Sequence, residues 1–147
     1  MIRILAFVFV ATTMGAAHAQ ATMDQGTSQV FRPADENDLG QFLWINRPVV
    51  VFSDSPADPR FSEQMEYLEK GVDMLMERDV VVLTDTDPAA KSPLRQKLRP
   101  RGFMLVLIGK DGEVKLRKPL PWTVREITRS IDKTPERERE INRRRGF

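Results

Sequence analysis

The residues best suited to chemistry lie between Ser53 and Gln64, where Asp54, Asp58, Arg60 and Gln64 follow one another in a short stretch. Asp54 and Asp58 offer two carboxylates, fit for acid–base work or for a hard cation. They are equally fit to cap a turn and a helix start, and capping is the preferred reading because aspartate is so favoured in both places. Arg60 and Gln64 stand one helical turn apart and could hold an anion together with the free amides of a helix start. The competing reading has them tying down neighbouring loops. Arg101 and Lys110 are further cations that could join either arrangement. No residue is assigned a catalytic role, no metal ligand set is present, and no cofactor motif is found.

What is missing narrows the chemistry further. The chain has no cysteine, and its single histidine is His18. Disulfide exchange and cysteine-based peroxidase chemistry are therefore excluded. Ser53, Ser55 and Ser92 have no histidine to activate them once residues 1–19 are removed, and zinc or copper binding through Cys or His fails on the same ground. A Ser–Lys pairing through Lys91 or Lys110 has no local motif behind it. Gly109-Lys110-Asp111-Gly112 lacks the spacing of a phosphate loop and reads as a hairpin turn around Asp-Gly. Met65, Met74, Met76 and Met104 sit in apolar patterns and read as core.

The elements that must position these residues follow from periodicity. Leu39, Phe42, Leu43 and Trp44 form a short apolar, helical cluster that ends at Asn46-Arg47-Pro48. Val49-Val50-Val51-Phe52 is a β-branched run of the kind covered on both faces of a sheet. Asp58-Pro59 opens a helix with a cap and a first-turn proline, and Phe61, Met65, Leu68, Val72 and Leu75 continue it as one stripe of about five turns. Val80 to Leu83 is a second buried strand, which completes a β-α-β unit with parallel strands. Ser92-Pro93 opens a short helix through Leu98, and Pro100 closes it. Phe103 to Ile108 and Glu113 to Lys118 form a hairpin whose second strand has one wet, cationic face. Thr123 caps a helix from Val124 to about Ile131. The stretch from Pro135 is almost all Glu and Arg, with Glu140 and Arg144 spaced as an i,i+4 pair on an exposed helix.

The first residues read as an export signal. Met1-Ile2-Arg3 is a positive start, Ile4 to Val10 is apolar, and Ala17-His18-Ala19 has the small-x-small form cleaved before Gln20. Thr12 and Thr13 interrupt the apolar run, which falls short of the ~20 residues a membrane span needs. No cysteine follows for lipid attachment, and no twin arginine is present, so the general secretory route to the periplasm or exterior is expected. Cleavage removes Arg3 and no acidic residue, so the formal net charge of +2 falls by one. That small excess argues against specific nucleic-acid binding. Residues 20–37 read as a flexible leader, 38–135 as one domain, and 136–147 as a charged tail or exposed helix.

The order β-α-β, short helix, β-hairpin, closing helix is the connectivity of a thioredoxin-like α/β fold with a four-stranded mixed sheet. Specific residues then become familiar: Phe42-Leu43-Trp44 with Asn46-Arg47, Asp58-Pro59-Arg60 with Gln64, Leu107 to Gly112 with Val114 to Arg117, and Ile131 to Pro135 with Arg137 and Glu140. Together they resemble the bacterial family labelled domain of unknown function 4174, which is similar to the P-DUDES domains of vertebrate extracellular proteins. One departure is Lys133-Thr134-Pro135-Glu136 where the family pattern runs Met-Pro-Met. The resemblance implies a fold and an extracytoplasmic setting, and supplies no mechanism. In redox-active relatives of that fold the turn after the first strand carries cysteines; here it carries Ser, Asp, Ala and Pro.

The expected function is an exported, non-redox binding or interaction module, with a protein or a small anionic ligand as partner. An enzyme using Asp and Arg side chains beside the first helix is one alternative. Attachment to anionic surfaces through the Arg-rich end is the other.

Overall fold

The computed structural model describes residues 29–34 and 38–146. The expected signal, its cleavage point at Ala19–Gln20, and most of the expected leader lie outside the described residues. Five strands form one sheet: β1 (Phe31–Pro33), β2 (Arg47–Phe52), β3 (Val80–Asp85), β4 (Met104–Ile108) and β5 (Val114–Lys118). Their order is β1-β3-β2-β4-β5, with β1 and β2 parallel to β3, and β4 antiparallel to both β2 and β5. The helices are α1 (Pro59–Lys70), α2 (Val72–Met76), α3 (Pro93–Leu98), α4 (Val124–Asp132) and α5 (Pro135–Arg144).

The sheet is covered on both sides, which is why its central strands are unbroken apolar runs and not alternating ones. Val49, Val51, Val80, Val82, Leu105 and Leu107 face Leu68, Leu75, Val124, Ile127 and Ile131 of α1, α2 and α4. Val50, Phe52, Val81, Leu83, Val106 and Ile108 face Leu94 and Leu98 of α3, with Leu39 and Phe42 from a 3-10 turn. Successive side chains of each strand thus feed two separate cores.

Three expectations change. The sheet has five strands instead of four, because Phe31–Pro33, inside the stretch read as a leader, pairs with Val82–Thr84 and buries Val30 and Ala34 beside it. The long stripe from Phe61 to Leu75 belongs to two helices separated by Gly71. An added Cβ at Gly71 would lie 2.6 Å from Val124 Cγ2, so the glycine allows α4 to approach the break closely. The cluster expected around Leu39–Trp44 is helical only as a 3-10 turn over Leu39–Phe42, and the chain then swings outward.

The other local signals act as their residue types suggest. Asp58 accepts from the Arg60 amide at 2.9 Å with Pro59 in the first turn. Ser92 caps α3, and Thr123 and Glu126 form a reciprocal capping box on α4. The 109–112 segment is a hairpin turn, with Gly109 N donating to Glu113 O at 2.9 Å and Gly112 at φ +81°.

Candidate functional site

The loop after β2 runs from the carboxyl end of a central strand into the start of α1, the usual place for a ligand in an open α/β sheet. Here its polar groups satisfy one another. Ser53 is buried and donates to Ser55 O at 2.6 Å. Arg60 folds back on its own helix cap, donating to Asp58 through Nε at 3.2 Å and NH2 at 2.9 Å, while its guanidinium lies 5.6 Å from the centre of the Phe103 ring. Those hydrogen bonds hold the Asp58 carboxyl below its ordinary range. Asp54 faces a different cation, Arg95, at 3.7 Å. The two aspartates are each partnered by an arginine and do not converge on a common point.

Gln64 does not join Arg60. It is fully buried and grips the backbone of Trp122 from both sides, Nε2 donating to the carbonyl and Oε1 accepting from the amide, each at 2.8 Å. Arg101 is exposed and its side chain makes no ion pair or hydrogen bond among the described residues. The neighbouring network centres on Asp85 and Arg95, which the sequence did not single out. Arg95 donates to Asp85 Oδ1 at 2.8 Å and to Ser53 O at 2.9 Å, and Ser92 Oγ donates to the other Asp85 oxygen. Burial pushes the Asp85 carboxyl up, but the Arg95 and Ser92 hydrogen bonds outweigh it and hold the carboxyl low. Asp85 thereby ties α3 to the sheet.

Lys110, the remaining candidate, lies at the opposite end of the sheet. β2 and β3 begin there and β4 finishes there, so Asn46, Asp79 and Lys110 arrive together from three separate turns. Lys110 Nζ meets Asp79 Oδ2 at 2.7 Å and Glu140 Oε1 at 2.9 Å. Glu140 also receives Arg47 at 3.0 Å and Arg137 at 3.2 Å. Arg137, 3% exposed at its side chain, reaches Glu77 at 3.4 Å and Asp132 at 3.5 Å, and Arg78 forms a two-pronged pair with Asp132 at 2.8 and 2.9 Å. Burial raises the Glu140 carboxyl, and hydrogen bonds from Lys110, Arg47 and Arg137 more than reverse this, bringing it from its ordinary 4.5 to about 2.

The C-terminal stretch is therefore a docked helix. Glu140 turns inward to three cations, so it does not form the expected i,i+4 pair with Arg144. That leaves Arg139, Arg143 and Arg144 exposed on the outer side of α5. With Trp44, Asp79, Lys110, Glu136 and Glu140 they line an open groove of about 380 Å³. Arg139 Nε donates to Pro135 O at 3.1 Å, and the Arg143 and Arg144 side chains have no acidic partner among the described residues. Trp44 is 71% exposed and its backbone is left-handed, φ +62°, which is rare for so bulky a residue. The sequence carried no spacing signal for this groove, because its residues come from four distant segments. Trp44 was hidden by its apolar neighbours, which read as core.

A family described as Domain of unknown function (DUF4174) matches residues 38–140, and the chain belongs to it. No curated protein matches the chain. Among solved structures it is similar to the reduced 2-Cys peroxiredoxin of Plasmodium vivax, with a TM-score of 0.54 and 19% identity over 69% of this chain and 84% of that one. It is also similar to chloroplastic thioredoxin z, with a TM-score of 0.53 and 20% identity over 71% of this chain and 95% of that one. At such identities these likenesses establish a thioredoxin-like fold and nothing more.

Proposed function

We propose that this member of the family is an exported, non-redox interaction module that holds anionic partners in the groove between Trp44 and α5. The observation that carries this reading is the set of arginines, Arg139, Arg143 and Arg144, that open onto the groove. The buried and half-buried cations beneath it are consumed internally: Arg47, Lys110 and Arg137 all serve Glu140. Export rests on the Met1–Ala19 pattern, and the non-redox role on the absence of cysteine. An enzyme built from Asp54, Asp58 and Arg60 is less favoured, because those groups are already paired with neighbours.

Inorganic polyphosphate is a suitable probe of the groove. The purified protein should bind it saturably, with an affinity that falls steeply as salt rises, since exposed charges are screened beyond about 10 Å at 0.1 M salt. Arg143→Glu with Arg144→Glu should weaken that binding by about tenfold or more without moving the thermal midpoint, because neither side chain is buried. Binding by the double variant at wild-type strength, or no saturable binding at all, refutes the assignment.

A further inference from the structure

We infer that the occupant of this surface is an anionic phospholipid membrane, with Leu43-Trp44-Ile45 as the tip that enters its interface and the α5 arginines as its headgroup contacts. The inference rests on the anion-binding reading and deepens it. Three consecutive large apolar residues are exposed here: Leu43 at 42%, Trp44 at 71% and Ile45 at 63%. Scattered apolar residues on a surface need no explanation, whereas a contiguous apolar tip beside a charged rim does. Phe42, directly before it, is buried in the core, so the chain could have ended its exposure sooner.

The tip is held in place by its surroundings. Trp44 N donates to Lys110 O at 2.7 Å, and Ile45 N and Asn46 N both donate to Phe42 O, at 3.0 and 2.9 Å. Arg47 N closes the turn on Asp79 O at 2.8 Å. Leu43 rests on the hairpin, so close that a Cβ at Gly112 would lie 2.8 Å from its Cδ2. These bonds maintain a left-handed tryptophan, and such strain persists only where the surroundings over-determine it. The indole is therefore presented outward before any partner arrives.

Chemistry and charge select the occupant. The three exposed apolar side chains of this tip need no matching pocket at a bilayer interface. Tryptophan is favoured at that depth because its ring is apolar while its N–H stays hydrated. Arg139, Arg143 and Arg144 flank Trp44 across the groove and match the phosphates of anionic headgroups, the arrangement seen in interfacial elements that combine apolar and basic faces.

The test uses the Trp122→Phe form of the protein, so that Trp44 is the only tryptophan, excited at the red edge where Tyr67 does not absorb, with vesicles of phosphatidylglycerol mixed with phosphatidylcholine or of phosphatidylcholine alone. Polyphosphate and soluble polyglutamate serve as membrane-free anions. The expected result is co-sedimentation with the anionic vesicles, a blue shift of Trp44 emission, and little association with the zwitterionic ones. Trp44→Asn keeps a residue that tolerates the left-handed backbone, so the fold should survive. It should weaken vesicle binding by about tenfold or more, and Ile45→Ser, whose side chain does not line the groove, should also weaken it while leaving polyphosphate binding within about twofold. Polyphosphate binding without vesicle association overturns the membrane inference and leaves the anion groove standing. Tight polyglutamate binding without vesicle association assigns the surface to an acidic protein, also overturning it. Loss of all three kinds of binding refutes both readings. Vesicle binding with no emission change, or insensitive to Trp44→Asn, shows that the tip does not insert and ends the proposal.

Discussion

Glu140→Ala should destabilise the protein by about 3–5 kcal/mol, the range found when one partner of a buried ion cluster is removed. The reason lies in what stays behind. Arg47 and Arg137 are each 2% exposed, and Glu140 is the carboxylate they share with Lys110. Without it Arg47 retains only Arg78 O at 2.9 Å, and Arg137 retains longer contacts to Glu77 and Asp132 at 3.4 and 3.5 Å. Calorimetry should show a midpoint lower by more than about 10 °C, since each kcal/mol moves a domain of this size by ~4 °C. Glu138→Ala, on the exposed side of the same helix, should change stability by less than about 0.5 kcal/mol. Equal effects of the two substitutions would show that the cluster contributes nothing specific.

The same residue sets a pH dependence whose sign is fixed. Folding lowers the Glu140 carboxyl from 4.5 to about 2, so its contribution is complete above the unfolded value and disappears as pH falls through that window. The depression corresponds to about 3 kcal/mol, using 1.36 kcal/mol per pH unit. Chemical denaturation between pH 5 and 2 should therefore show wild-type stability falling by about that amount from this group, and the Glu140→Ala curve should be flatter by up to one bound proton. A parallel slope in the variant would place the acid sensitivity elsewhere.

Much of the scaffold is legible because its signals are local. β2 and β3 are covered on both faces, and their valine runs say so directly. The caps at Asp58, Ser92 and Thr123 each act within three residues of themselves. β1 is different in kind. Phe31-Arg32-Pro33 has no strand pattern of its own and becomes a strand only because β3 presents an open edge to it. The break at Gly71 is hidden because the apolar stripe keeps its phase across it, and a single glycine is a weak stop inside a helical pattern. Chemistry was harder to place than secondary structure. Sequence spacing puts Arg60 and Gln64 on one side of α1, yet spacing says nothing of which way each side chain turns. The Arg-rich end shows the same limit. Alternating Glu and Arg reads as a solvated face until the tertiary partners Arg47 and Lys110, 93 and 30 positions away from Glu140 in sequence, draw that glutamate inward.

Gln64 and Arg60, paired in the sequence as an anion clamp, should separate sharply when each is replaced. Gln64→Leu should destabilise the protein by about 2–4 kcal/mol. Leucine fills a similar volume but offers nothing to the Trp122 amide and carbonyl, and each backbone group left without a partner costs about 1–3 kcal/mol. The loss is also architectural, since this grip fixes the segment that leads into Thr123, the cap of α4, against α1. Arg60→Ala should leave stability nearly unchanged. Its side chain is 47% exposed, its pair with Asp58 is a surface one, and Asp58 still accepts from the residue 60 amide as a cap. Urea unfolding of both variants decides the matter. A small effect of Gln64→Leu together with a lost binding or catalytic property would return Gln64 to the role its spacing first suggested. A large effect, with polyphosphate binding intact in whatever fraction remains folded, confines the first helix to architecture and leaves the opposite end of the sheet as the place where the protein meets its partner.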